Sequence, residues 1–203
     1  MSGILFIISS PSGGGKGTLI RELLRDVPNI GYSVSFTTRP MRAGEMHGQH
    51  YFFVSREEFE NLIERGEFLE YASVHGNFYG TSVTQVANET SRGRDIILEI
   101  DVQGARSVRR IMPEAVSIFI LPPSYRILRE RLVLRQTESE NNLALRLQNA
   151  RDEVRDYKIF DYVVINDEVT GATLDLQSII LAERLKRERQ ETIVENILKT
   201  FEN

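Results

Sequence analysis

Apolar residues run without interruption from Ile4 to Ile8 and give way to Ser9-Ser10-Pro11-Ser12-Gly13-Gly14-Gly15-Lys16-Gly17-Thr18. Leu19, Ile20, Leu23 and Leu24 then recur at helical spacing until Pro28. This pattern predicts a buried strand, a glycine loop, and a helix that begins at Lys16 and packs back on the strand. Residues 32–36 alternate as a strand, an arginine- and glycine-containing loop leads to His50, and residues 51–54 read as a further strand. Ser55 and Glu58 make a capping box before a helix whose Phe59, Leu62 and Ile63 form one stripe, closed at Gly66. Residues 68–72, a turn at His75-Gly76-Asn77 and a short helix from about 83 to 91 follow, ending near Gly93. Residues from about 35 to 90 thus read as an insertion with its own small sheet.

In the second half, residues 94–101 form an apolar strand that ends in acid, with Glu99 and Asp101 on one face. A helix from about 103 to 111 breaks at Pro113, and residues 116–121 are a near-continuous apolar strand of the kind buried on both faces in a parallel sheet. Pro122-Pro123-Ser124 opens a helix whose Leu128 and Leu132 face inward. The polar stretch 136–142 interrupts it, and a second helix runs to about Tyr157. Residues 162–165 are the last strand, and from about Ala172 the chain is one or two amphipathic helices. The last of these carries Val194, Ile197, Leu198 and Phe201, for which self-association and docking on the chain's own domain are equal readings. Strands and helices alternating at these lengths predict an α/β fold, an open parallel sheet flanked by helices with ligands at the carboxyl ends of its strands.

Composition narrows this picture. At 203 residues and 41% hydrophobic, the chain can bury a full core as one domain with small inserted subdomains. It has no cysteine, so disulfides and thiolate metal sites are excluded, and a reducing compartment fits. The apolar stretch near the N-terminus is far short of the ~20 residues that span a bilayer, and no basic leader precedes it, so a cytoplasmic protein away from membranes is expected. A formal charge of −4 argues against a nucleic-acid surface.

The loop at 10–18 has the make-up of a phosphate cradle. Its glycines let backbone N–H groups converge on an anion, the N-terminus of the following helix adds its dipole, and Lys16 reaches the outer phosphates of a nucleoside triphosphate. Against the strict pattern G-x-x-x-x-G-K-[ST], Ser10 replaces the first glycine and Gly17 the Mg²⁺-binding hydroxyl residue. A Mg²⁺ on the phosphates would then keep more water ligands, and Thr18 is placed to serve an inner phosphate. The plainer reading is a glycine turn that merely joins strand to helix. The GKGT ending resembles the loop of adenylate kinases.

The acceptor is read elsewhere. Ser35-Phe36-Thr37-Thr38-Arg39-Pro40-Met41-Arg42-Ala43-Gly44-Glu45, continuing to Tyr51, resembles the monophosphate-binding segment of guanylate kinases. Gly76 to Thr81, Glu99-Ile100-Asp101 and Ile165-Asn166-Asp167 are similar to that family too. The resemblance runs from about Gly3 to Glu183. It implies a core of about 3–34, 92–125 and 158–183, a GMP-binding insertion of about 35–91, and a lid of about 126–157. Residues 184–203 are left as a helical extension. It further implies ATP and Mg²⁺ at the loop 10–18 with Asn166 and Asp167, and GMP at Ser35, Arg39, Arg42, Glu45, Tyr51, Glu70, Tyr79, Thr81, Glu99 and Asp101.

Those residue types suit the substrate. Arg39 and Arg42, with the hydroxyls of Tyr51 and Tyr79, can surround a dianionic phosphate with forked donors. Guanine offers two donors, N1–H and the N2 amino group, beside the acceptor O6, so a carboxylate that takes both favours guanine over adenine. Glu70 fills that role by resemblance, with Ser35 and Thr81 donating to O6 or N7; pattern alone reads Glu70 as a surface acid. Asp101 would orient metal-bound water, whereas Glu99 stands where guanylate kinases usually have aspartate. Arg131 and Arg135 lie one helical turn apart and Arg146 follows on the next helix; in the family these are lid arginines that neutralise the transferred phosphoryl group, a role worth ~10³–10⁵ in rate. Spacing alone reads them equally as surface arginines. His47, His50 and His75 sit singly in polar loops without metal-ligand spacing. The expected reaction transfers the γ-phosphoryl group of ATP to GMP, with dGMP as a second acceptor, giving ADP and GDP. A kinase of another nucleoside monophosphate and a non-catalytic phosphopeptide-binding module are the rival readings.

Overall fold

Five successive apolar side chains leave a strand no solvent face, and the chain meets this by placing that strand at the centre of a sheet with helices on both sides. A computed structural model describes residues 2–74, 76–134 and 140–201, with the backbone alone at 140–142. In chain order the elements begin with β1 (Leu5–Ser9), α1 (Lys16–Asp26), β2 (Ile30–Tyr32), β3 (Phe36–Thr37), β4 (Phe52–Phe53) and α2 (Arg56–Glu64). Next come β5 (Phe68–Val74), β6 (Asn77–Ser82), α3 (Val83–Ser91), β7 (Asp95–Glu99), α4 (Val102–Ile111) and β8 (Val116–Leu121). The last part holds α5 (Tyr125–Leu134), α6 (Glu140–Glu153), a 3₁₀ segment (Val154–Ile159), β9 (Tyr162–Ile165), α7 (Val169–Arg184) and α8 (Arg187–Leu198).

β2, β7, β1, β8 and β9 form a five-stranded parallel sheet in that order. Alternate side chains of β1 feed two cores. Phe6 and Ile8 pack with Leu19 and Leu23 of α1 and with Leu176 and Ile180 of α7. Leu5 and Ile7 pack on the other side with Ala105 and Val108 of α4 and with Phe119. The second sheet, ordered β4-β3-β6-β5, is antiparallel except for the β3–β4 pair. α2 is seated on it through Phe59, whose ring stacks on Phe68 at 4.5 Å and Phe78 at 5.4 Å. The capping box at Ser55 and Glu58 is formed.

Several boundaries differ from the sequence pattern. The single strand expected over 32–36 is two strands in two sheets. Ser33 N–H makes the last bond to the parallel sheet, at Ile97 O, and the Gln85 side chain then both accepts from Val34 N–H and donates to Val34 C=O. That side-chain amide satisfies the backbone where the chain leaves one sheet for the other. The strand expected to reach Asp101 stops at Glu99, because Asp101 caps α4 by accepting Gly104 N–H at 2.8 Å. The helix expected to run to Tyr157 tightens into the 3₁₀ segment after Glu153. The interruption expected at 136–142 falls largely outside the described residues.

α7 begins at Val169, ahead of the expected Ala172, and is tied down at its far end. Arg184 Nε donates to Asp95 Oδ2 at 2.7 Å, and Asp95 Oδ1 accepts Ile4 N–H at 2.7 Å. α8, by contrast, buries no residue, and its Ile193, Val194, Ile197 and Leu198 are exposed, so it does not dock through its apolar side. Among the described residues no helix is long and apolar enough to cross a membrane. Because Phe59 is the fully buried anchor of α2, Phe59→Ala is expected to cost about 3–5 kcal/mol, read from the urea midpoint at constant slope.

Candidate active site

The end of β1 delivers the chain into a loop that has no room for side chains. A Cβ on Gly13 would come within 2.8 Å of Leu132 on α5, and one on Gly15 within 2.4 Å of Asn166 Nδ2. Both residues also have φ near +90°, which glycine adopts without strain. Asn166 is buried just beyond β9, and its Nδ2 donates to Gly14 C=O at 2.9 Å. The loop is thereby wedged between α5 and the end of β9. Among the described residues, no protein acceptor meets the backbone N–H groups of Gly13, Gly15, Lys16 and Gly17, as expected where a helix begins. These donors, the positive end of α1 and the Lys16 ammonium make an anion cradle.

Lys16 shares a cavity of about 370 Å³ with Arg39, Arg42, Tyr51 and Tyr79 from the second-sheet region. Arg39 is held there by its surroundings. Its Nη1 and Nη2 donate to Glu45 at 3.0 and 2.7 Å, Nη1 also donates to Pro40 C=O, and its guanidinium lies 5.3 Å from the Tyr51 ring centre. Glu45 also accepts Arg42 N–H at 2.7 Å, so the carboxylate organises both arginines. Hydrogen bonds from Arg39 hold the Glu45 carboxyl below the usual carboxylate range, aided by Arg42 N–H. Burial, with the Glu99 charge second, pushes the Tyr51 phenol up to about 12, which keeps its proton available for donation.

Glu70 closes the same cavity from β5. A register irregularity between Phe68 and Glu70 pairs Glu70 with Thr81 and turns the acid inward, so that it is only 6% exposed. Thr81 Oγ1 donates to Glu70 Oε1 at 2.6 Å. Burial pushes the Glu70 carboxyl up to about 7; the Thr81 hydrogen bond opposes this and the Asp101 charge adds to it. A Cβ on Gly104 would lie 2.7 Å from Glu70 Oε2 and 3.2 Å from Asp101 Oδ1, so the two acids converge where α4 has no side chain. Ser35, Glu99 and Asp101 line the cavity as well. Tyr32 donates to Glu99 Oε2 at 3.2 Å, and burial raises its phenol far above the ordinary tyrosine value.

A sequence profile of the family described as guanylate kinase matches residues 2–183. The chain belongs to the guanylate kinase family. It is 51% identical over 197 residues to the guanylate kinase of Neisseria meningitidis serogroup A, covering 97% of this chain and 96% of the relative. It is 46% identical over 187 residues to that of Carboxydothermus hydrogenoformans, with 92% of each covered. Among solved structures, a guanylate kinase from Anaplasma phagocytophilum superposes with a TM-score of 0.77 at 37% identity, over 93% of this chain and 89% of that one.

Within this guanylate kinase fold, not every residue singled out from the sequence faces the cavity. Ser10, Ser12, Gly13 and Lys16 line it, as does Arg146 from α6. Pro11 and Gly14 are buried in the loop, and Thr18 is exposed on α1 away from the cavity wall, as the turn of the helix requires. Thr81 is buried with its hydroxyl proton committed to Glu70, which corrects the expectation that it donates to a base. Asp101 spends Oδ1 on its helix cap. Arg131 Nη2 donates to Asp167 C=O at 3.3 Å, and Arg131 is not part of the cavity wall. Arg135 lies outside the described residues, as does His75.

Glu153 at the cavity and Gly104 behind Glu70 and Asp101 are not singled out by the sequence pattern. Glu153 of α6 lines the cavity and accepts Ser12 N–H at 2.9 Å. Nothing local in the sequence signals this contact between residues 141 apart. Gly104, three places after the capping Asp101, had a weak signal in the Asp-x-x-Gly spacing. Since Thr81 pulls the Glu70 pKa down, Thr81→Val is expected to raise it above about 7, as read by carbon-13 NMR titration of the Glu70 carboxyl; an unchanged or lower value would contradict this role.

Proposed function

We propose that the protein is an ATP-dependent guanylate kinase, transferring the γ-phosphoryl group of ATP to GMP, and to dGMP, with release of ADP and GDP. The observation that carries this reading is the single cavity shared by the Lys16 cradle and the Arg39–Arg42 pair. Two anion sites facing one another across one cleft suit an in-line transfer between two phosphates. In this reading the loop 10–18 holds ATP. Arg39 and Arg42, with Tyr51 and Tyr79, hold the phosphate of GMP. Glu45 takes one edge of the Arg39 fork, so the remaining donors are pre-aimed and little is lost in ordering them on binding. Glu70 accepts the guanine N1–H and N2–H, Thr81 positions Glu70, and Ser35 donates to the base.

The acceptor phosphate already carries anionic oxygens near neutral pH, so the chain need supply no general base. Its part is alignment and charge compensation: Lys16 on the outer phosphates of ATP, Arg39 and Arg42 on GMP, and Arg131, Arg135 and Arg146 from a lid of about 126–157. Closure of that lid against the insertion of about 35–91 would exclude water as a competing acceptor. Mg²⁺ is the expected companion of ATP, and the oxygen donors at the end of β7 suit so hard a cation. Among the described residues no three metal-ligating side chains gather into a cage, which fits an ion held mainly by phosphates and water. Asp101 would hold that ion through its water, and bound there it would neutralise charge on the transferred group. The reading assigns the enzyme to the cytoplasm, with nucleotides as its partners; the exposed side of α8 is where a second copy would join.

A coupled assay of ADP release with GMP, dGMP, AMP, UMP and dTMP tests the assignment. Activity with the guanine nucleotides is expected, and a preference for AMP would overturn it. Gly104→Ala is expected to displace the Glu70 carboxyl and lower kcat/KM for GMP by roughly 10²-fold while sparing ATP binding. The raised Glu70 pKa sets a pH dependence with a definite sign. Below about 7 the free enzyme holds a proton that guanine binding must expel, so GMP affinity should tighten as pH rises through this value. The phosphate of GMP also titrates, near pH ~6, but this cancels on comparison with Glu70→Gln, which should lose the guanine-linked slope.

A further inference from the structure

Two departures from the common pattern meet at one point of the cleft. Gly17, in the first turn of α1, stands where the strict phosphate loop has the hydroxyl that binds Mg²⁺. Glu99 stands at the carboxyl end of β7, in register with Ile8 of β1 and therefore beside the start of that loop. A Cβ built on Gly17 would find both carboxylate oxygens of Glu99 at 3.8 Å and no other described neighbour within 4 Å. The space that a serine or threonine side chain would enter is thus bordered by this carboxylate.

The other acids of the cavity are already engaged. Glu45 is held by Arg39, Glu70 by Thr81, Asp101 Oδ1 by Gly104 N–H and Glu153 by Ser12 N–H. Glu99 accepts only the Tyr32 hydroxyl, on Oε2, among the described residues, and no described donor meets Oε1. Tyr32 orients the acid through that hydrogen bond.

We infer that Glu99 replaces the missing hydroxyl at position 17 as the protein's oxygen ligand for the Mg²⁺ that accompanies ATP, an assignment that rests on the kinase reading above. The exchange is chemically sound, because Mg²⁺ is commonly bound through one or two carboxylates together with substrate phosphates and water. The methylene that distinguishes glutamate from aspartate extends the acid toward the loop, and glycine at 17 keeps its path clear. Gly17 and Glu99 are then a matched pair: a serine at 17 would do the work with a shorter acid at 99.

The test measures Mn²⁺ affinity by electron paramagnetic resonance in the presence of a non-hydrolysable ATP analogue, with analogue affinity measured separately without metal. Glu99→Gln is nearly isosteric and is expected to weaken Mn²⁺ binding by roughly 10–100-fold, while metal-free analogue binding is kept or improved. Glu99→Asp should weaken it in the same direction, and the double variant Gly17→Ser with Glu99→Asp should restore it. Thermal melting of each variant establishes that it is folded. Wild-type Mn²⁺ affinity in folded Glu99→Gln, or no rescue in the double variant, would overturn the inference while leaving the kinase reading intact. A wild-type protein that binds no ATP analogue would overturn both.

Discussion

The phosphate cradle imposes the governing constraint: its backbone N–H groups must be left without protein acceptors, yet the loop that carries them must not move. The structure separates the two demands. The carbonyl side of the loop is fixed by Asn166, its glycine faces are closed by Leu132 and Asn166, and its base is β1, buried on both faces of the parallel sheet. That support comes from three separate parts of the chain: β1, α5 and the end of β9. The amides can therefore face an anion without reorganising, which is how a cradle contributes electrostatic stabilisation at low cost.

The same economy governs the charges around the cleft. Buried or half-buried ionised groups are costly unless paired, and each acid here meets a donor that also aims it. Glu45 steadies Arg39 and Arg42, Thr81 steadies Glu70, and Asp101 caps α4 while facing the cavity. Glu70 is the exception that carries a cost, since its single short hydrogen bond does not offset burial and its carboxyl stays near 7. A carboxyl poised there is neutral at little expense in the free protein and is recruited as an acceptor by a ligand that brings two donors.

The central strands of the parallel sheet and the phosphate loop were legible because their signals are local. A run such as Ile4 to Ile8, a glycine triplet before Lys16, and apolar spacing through α1 depend on neighbours within a few residues. The capping box at Ser55 was legible for the same reason. The break between β2 and β3 was not, because it depends on Gln85, 51 residues from Val34, taking over the backbone bonds of the departing chain.

The sequence alone therefore determined the α/β class, the order of its elements, the cradle and, through its family resemblance, the residues that meet across the cleft. Tertiary structure alone decided how those residues are used. It committed Thr81 to Glu70, made Asp101 a cap as well as a cavity acid, kept Arg131 off the cavity wall and brought Glu153 onto Ser12. The physical reason is that a side chain's task is set by which partner arrives through space, and in this molecule those partners come from strands and helices far apart in the chain.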